Sequence, residues 1–185
     1  MNIEQLKDLL REAGVVGAGG AGFPTYAKLS PKADTLILNC AECEPLLRLH
    51  RQVLRMYTHE ILSTLYEISK IVGTKDICIG IKASYKGTVE ALKAEICSFD
   101  NMRVCTLPEV YPAGDEVVLT YEATGRVVPA GQIPLSVGVT VLNVETVLVA
   151  TGSAARIGCD MADAPVDAAI VGIVDAGTGL VGVIG

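Results

Sequence analysis

Four short apolar runs, each closed off by polar or turn-forming residues, restrict this 185-residue chain more than any other feature. Thr35 to Asn39 reads TLILN, Asp76 to Lys82 reads DICIGIK, Arg103 to Leu107 reads RVCTL, and GVTVLN runs into VETVLVAT. Runs of this length suit strands buried on both faces. Between them the apolar period becomes helical. From about Gln52 to Val72, the residues Val53, Met56, Leu62, Leu65, Ile68 and Ile71 predict a helix. Thr88 to Cys97 predicts another, with Val89, Leu92 and Ile96 facing inward. Asn2 to Ala13 predicts an amphipathic helix with Ile3, Leu6, Leu9 and Leu10 on one face, stopped by Gly14. Gly114 and Asp115 precede a helix to about Ala123, stopped by Gly125. Strands alternating with helices imply an α/β domain whose sheet is mainly parallel, with flanking helices.

Composition narrows the function. Half the residues are apolar, aromatics are scarce and the net charge is −6. No basic stripe is present, so nucleic acid is not an expected partner. The N-terminus is a mixed-charge helix rather than a basic start followed by an apolar run, so no secretory leader is expected. No transmembrane segment is expected, because no uninterrupted apolar stretch is long enough to span a bilayer. The apolar stretch APVDAAIVGIVDAGTGLVGVIG carries Asp167 and Asp175 and reads as buried strand and turn. The six cysteines form no paired framework and read mostly as reduced core residues.

The glycine run GVVGAGGAGFPTYAKL, residues 14 to 29, poses a choice. Gly17, Gly19 and Gly22 have the G-x-G-x-x-G spacing of a dinucleotide turn, which needs a strand before it and a helix after it. Here a helix precedes it, only Val15 and Val16 remain for a strand, and Pro24 pushes Phe23 toward an extended backbone. Pro24 and Thr25 can still open a short helix. The run therefore lacks the usual neighbours of a dinucleotide turn, and a phosphate cradle of another kind, on a Rossmann-like sheet, is the alternative.

Three loops lie at strand ends or helix starts: the glycine run, the NCAECEP turn and the YPAGDE turn; LNVET adds a fourth contact. The segments GAGGAGFPTYAKL, LNCAECEP, YPAGDE and LNVET resemble, in order and approximate separation, the flavin mononucleotide (FMN) domain of the NADH-oxidising subunit of respiratory complex I. The likeness is greater to the C subunit of the Rnf complex and its soluble relatives, the cobalamin reductases and a proline reductase-associated electron-transfer protein. It covers residues 14 to about 150. It implies a domain, taken as residues 1 to 150, that receives hydride from NADH onto FMN and passes electrons to a protein partner or iron–sulfur carrier. It also implies a cytoplasmic protein, peripheral to the inner face of the membrane where it joins a membrane complex. Iron–sulfur clusters are expected only in downstream modules or partners.

The resemblance assigns Gly17, Gly19, Gly20, Gly22, Lys28, Asn39, Glu42, Cys43, Tyr111, Gly114, Asp115 and Asn143 to the cofactor. It assigns Phe23, Glu44 and Glu116 to NADH. The residue chemistry suits this. Glycines without Cβ let backbone N–H groups converge on a phosphate, and Lys28 offers a cation. Carboxylates repel phosphate but accept from ribose hydroxyls. Each position also has a plainer reading: Lys28 as a surface lysine, Asn39 as a turn residue bonding its own backbone, and Asp115 and Glu116 as first-turn charges on a helix dipole. Asn143 reads equally as a helix cap, Tyr111 as a structural tyrosine and Phe23 as an anchor for its loop. No side chain is assigned to catalysis, since the flavin does the redox chemistry. Cys40 and Cys43 form a C-x-x-C, but no second such pair exists, and no metal site is expected.

Departures fall at Ala18, Pro31, Ala41 and Leu142, where complex I carries an arginine, an aromatic, an acidic residue and an asparagine. They favour the Rnf branch and bear on NADH more than on FMN. Residues 151 to 185 do not resemble the modules that follow in the family and read as a divergent segment or the start of another module. The competing readings are a flavin-free docking domain, a reductase of another acceptor such as a corrinoid, and a Rossmann NAD-dependent dehydrogenase.

Overall fold

A computed structural model describes residues 1–17, 22–44 and 46–156, with side chains described to residue 152. Four strands carry the fold: β1 (Thr35–Asn39), β2 (Asp76–Lys82), β3 (Met102–Leu107) and β4 (Val139–Asn143). They form one sheet in the order β3-β2-β1-β4, every pairing parallel. Asn39 is in register with Gly80 on one side and Asn143 on the other. The chain therefore moves one way from β1 to β3 and then returns to the far side of β1. That reversal opens a crevice beyond the C-terminal ends of β1 and β4, the usual ligand position in such sheets.

Alternation within each strand divides the core. Leu36, Leu38, Ile77, Ile79, Ile81 and Leu142 face one cluster. It is completed by α1 (Ile3–Glu12), α3 (Leu49–Met56), α4 (Thr58–Val72), α5 (Lys86–Glu95) and α7 (Val144–Arg156). Ile37, Cys78, Val139 and Val141 face a smaller cluster closed by Leu119 and Ala123 of α6 (Glu116–Thr124). Two-sided burial explains why β1 is apolar throughout, with all five residues buried.

Helix ends follow local chemistry. Asn2 caps α1 in a reciprocal pair with Gln5. Gly73 and Gly125 end α4 and α6 in the left-handed region. The single helix expected from Gln52 to Val72 is two, because Tyr57 leaves helical geometry (φ −125°, ψ 42°). The break shifts the phase of the apolar stripe. Met56, expected to face inward, is 63% exposed, while Ile61 is fully buried. The expected helix over residues 88 to 97 starts at Lys86 and ends in a 3-10 turn over Ile96–Ser98. The strand expected from Arg103 begins one residue earlier.

In place of a strand before the glycines there is one antiparallel bridge, Val16 to Pro24, followed by the four-residue α2 (Thr25–Lys28). The run folds back on itself, with the Gly17 N–H donating to the Phe23 carbonyl at 2.8 Å. The strand-and-turn reading of the C-terminal apolar stretch lies outside the described residues.

Candidate cofactor site

A cavity of about 440 Å³ starts at the C-terminal ends of β1 and β4 and runs along β4 to Val139 and Leu135, within the ~300–1,000 Å³ range of small-molecule sites. Eleven of the residues proposed from sequence line it: Gly17, Phe23, Lys28, Asn39, Glu42, Cys43, Glu44, Gly114, Asp115, Glu116 and Asn143. They come from four separate stretches: three follow or close the C-terminal ends of β1, β3 and β4, and the glycine run between α1 and α2 packs against them. Gly19 and Gly20 lie outside the described residues. Gly22 does not line the cavity; its φ of +67° turns the chain back toward Pro24. Tyr111 is 80% exposed and is not a lining residue.

The side chains are more committed than sequence suggests. Lys28 forms an ion pair with Glu116 and donates to the Val141 carbonyl at 3.3 Å. The residue expected at a phosphate and the residue expected at a ribose are thus each other's partners, 88 positions apart. Asn39 bonds its own turn, as the plainer of its two readings has it, and reaches two further loops. Its Oδ1 accepts from the Ala41 N–H at 3.0 Å, and its Nδ2 donates to the Gly114 carbonyl at 2.9 Å and to Asn143 Oδ1 at 3.2 Å. One amide therefore ties the NCAECEP turn, the YPAGDE turn and the end of β4 together.

Asp115 is the N-cap of α6, its Oδ1 accepting from Val117 N–H at 2.9 Å and Val118 N–H at 3.1 Å. Those two helix N–H groups are thus satisfied by the cap. Gly114 is fixed by steric need. A Cβ there would lie 1.9 Å from the Ala41 carbonyl oxygen and 3.0 Å from Cys43 Sγ. The Gly114 N–H donates to Cys43 Sγ at 3.2 Å. Cys40 is fully buried, and burial pushes its thiol far up from the ordinary value. Among the described residues no cluster of His, Cys, Asp and Glu could hold a metal.

Glu42 is buried, and burial raises its carboxyl above the ordinary value even though Oε1 accepts the His50 backbone N–H at 2.9 Å. Residues not singled out from sequence complete the wall, among them His50, Leu47, Thr140 and Ile133. His50 carried no signal because it fell in the polar stretch ahead of the helix expected from Gln52, outside the four motifs; the helix in fact begins at Leu49, and only the fold brings its start to the cavity.

Residues 10–151 match the family model described as the Nuo51 FMN-binding domain. A shorter stretch, residues 137–175, matches the one described as ethanolamine utilisation protein EutN/carboxysome. The chain is 41% identical over 145 residues to the cobalamin reductase PduS of Citrobacter freundii, covering 78% of this chain and 32% of the relative. Against the C subunit of the proton-translocating ferredoxin:NAD(+) oxidoreductase complex of Clostridium ljungdahlii it is 34% identical over 160 residues, covering 84% and 35%. The chain thus spans about a third of the length of these relatives. The fold is also that of a chain of an NAD+-reducing NiFe hydrogenase in its H2-reduced state (TM-score 0.66, 22% identity, 85% of this chain and 31% of that one). With the match running from the end of α1 through most of α7, and with the four loops gathered at one crevice, the chain belongs to the Nuo51 FMN-binding domain family of electron-transfer proteins.

Proposed function

We propose that the crevice beyond β1 and β4 holds FMN, that NADH is the electron donor, and that electrons leave singly to a protein partner or an iron–sulfur carrier. One observation carries this reading: the cavity gathers residues from all four motifs at the point where the strand order reverses. The residues suit the cofactor. The cavity is large enough for a flavin, and Lys28 supplies a cation half-buried in its wall. Among the described residues, His50 Nδ1 has no hydrogen-bond partner, while His50 Nε2 and Glu42 Oε2 have only ion-pair neighbours at 3.4 Å, Glu145 and Arg51. Bound FMN would accept hydride and release electrons one at a time.

In this reading the glycine loop and Lys28 take the phosphate, with Asn143 at the start of α7 adding a polar contact. Asn39, Cys43, Gly114 and Asp115 hold the walls in place. Phe23, 40% exposed, and the half-exposed carboxylate of Glu116 face the open side, where NADH enters. The PduS relatives are named as cobalamin reductases, so a corrinoid is the second candidate acceptor. The C. ljungdahlii relative belongs to a proton-translocating complex, which favours a membrane-peripheral setting on the cytoplasmic side. Among the described residues no helix is long and apolar enough to cross a membrane. We assign residues 1–150 to the flavin domain and 151–185 to a divergent segment or the start of another module; the EutN/carboxysome match over 137–175 straddles that boundary.

Purified protein is expected to be yellow, to release FMN on denaturation and to reduce ferricyanide with NADH. A colourless preparation that ignores added FMN would overturn the cofactor. Retained FMN without NADH turnover would overturn the donor alone.

A further inference from the structure

The sequence carries no basic run, yet folding assembles a basic face beside the cavity. Arg48, Arg51 and Arg55 follow spacings of three and four, which puts them on one side of α3. That side packs against the start of α5. The Thr88 hydroxyl donates to the Arg51 carbonyl at 2.8 Å, and the Arg51 guanidinium lies over the Tyr85 ring at 4.4 Å. An Arg55 nitrogen lies 3.2 Å from where a Cβ on Gly87 would stand. Lys82 and Lys86 arrive with that segment. Residues 45–59 and 77–89 together hold these five cations and no carboxylate, in a chain of net charge −6.

Three of the charges are free to meet a partner. Arg48, Arg55 and Lys86 are exposed, and among the described residues none of them makes an ion pair. Arg51 is held by Glu42 Oε2 at 3.4 Å and Lys82 by the Glu42 carbonyl at 2.8 Å, so these two fix the inner edge of the face. The nearby carboxylates are withdrawn or lie at its border. Glu42 is buried, and Glu109 accepts from the Ser84 N–H and hydroxyl at 2.8 and 3.1 Å. Glu44 and Glu90 stand at the two ends. Apolar side chains accompany the cations: Leu46 is 93% exposed, Leu47 39%, and Met56 is exposed at the end of α3. Leu47 also lines the cavity, and its carbonyl accepts from Arg51 at 3.3 Å. The face is therefore continuous with the cavity wall.

We propose that this face docks an acidic one-electron carrier protein, whose carboxylates meet Arg48, Arg55 and Lys86 and whose apolar contact is Leu46 and Leu47. The proposal rests on the FMN and NADH reading above. Each docking event removes one electron. NADH and two oxidised carriers thus give NAD+, one proton released to solvent and two reduced carriers. Transient electron-transfer contacts are small, with an apolar centre and a polar rim, and charge of one sign speeds and orients the encounter. A protein fits better than a phosphate backbone, because exposed leucines stand nearest the cavity and the chain as a whole is acidic.

The test uses the 185-residue chain, an acidic flavodoxin as probe, and the triple variant Arg48→Glu, Arg55→Glu, Lys86→Glu, whose three residues lie outside the cavity lining. In the FMN-free protein, calorimetric titration should show flavodoxin binding that weakens between about 0.01 and 0.15 M salt, where the Debye length shortens from ~30 to ~8 Å. The variant should not bind. Absence of binding, binding that ignores salt, or binding that survives in the variant would overturn the proposal. In the FMN-loaded protein, NADH-driven reduction of flavodoxin at low salt should fall about tenfold or more in the variant. Reduction of menadione, a small uncharged quinone, should keep its rate, and NADH its KM. A raised KM for NADH with both acceptors would give the face to the nucleotide's phosphates. Salt-sensitive binding to phosphatidylglycerol vesicles without flavodoxin binding would give it to a membrane. Either result overturns the proposal. Failure to load FMN would count against the functional reading alone, since the titration judges the docking face without it.

Discussion

At the scale of single residues, the site is decided by who is already bonded. Gly114 has no alternative, since any Cβ would collide with the Ala41 carbonyl. Gly114→Ala should cost at least about 3 kcal/mol, because the obstacle is backbone and cannot rotate away. Urea denaturation should show the lower midpoint, together with loss of FMN. Glu116 behaves differently. Glu116→Gln removes the carboxylate that holds Lys28, leaving the ammonium free for an anion. FMN should therefore be retained, while NADH affinity falls about tenfold for loss of a charged acceptor. Titration of NADH at measured FMN occupancy checks this. Loss of flavin in the variant would move Glu116 from the substrate side to the cofactor.

Among the elements, α6 depends most on one side chain. Its apolar contribution to the core is confined to Leu119 and Ala123, and its first turn is held by Asp115. Asp115→Ala should destabilise the protein by about 1 kcal/mol and loosen the turn that carries Gly114 and Glu116. Thermal unfolding with and without FMN should show the same loss in both states if Asp115 serves only the cap. A larger loss in the loaded state would give it a direct cofactor contact. The start of α3, at Leu49, sets the His50 N–H on Glu42 and its ring beside Glu145.

For the whole molecule, two carboxyls pull stability in opposite directions with pH. Asp34 is held below its ordinary value of 3.8, first by the hydrogen bonds from Arg126, at 2.7 and 3.1 Å, and next by the one from Thr35. Its stabilisation is present above that value and is lost as pH falls through the lower, folded value. Both partners are well exposed, so this contribution is small and salt-sensitive. Glu42 is raised above 4.5 by burial. The folded state then binds the extra proton, so stability falls as pH rises from about 4.5 through the raised value. Glu42→Gln, which keeps an acceptor for the His50 N–H, should flatten that decline. Denaturation midpoints between pH 4 and 8 check this, and an unchanged slope would show that Glu42 ionises at no cost.

The strands and the four loops were legible in sequence for a physical reason. Strands buried on both faces leave short apolar runs, and β1 and β2 have the bounds that TLILN and DICIGIK suggest. Glycine stops worked likewise, because Gly14 and Gly125 sit at positive φ. The break at Tyr57 was not legible, since a helical period continues on either side of it with only a change of phase. Which residues line the cavity was largely readable from the motifs, but the state of their side chains was not. Lys28 joins Glu116, Asn39 joins Gly114 and Asn143, and His50 joins Glu145, each across a long stretch of chain. Sequence alone determined the elements, because burial and backbone conformation act locally. Only the tertiary structure decided the order β3-β2-β1-β4 and hence the crevice, because a parallel crossover can place the next strand on either side of its predecessors without changing any local pattern.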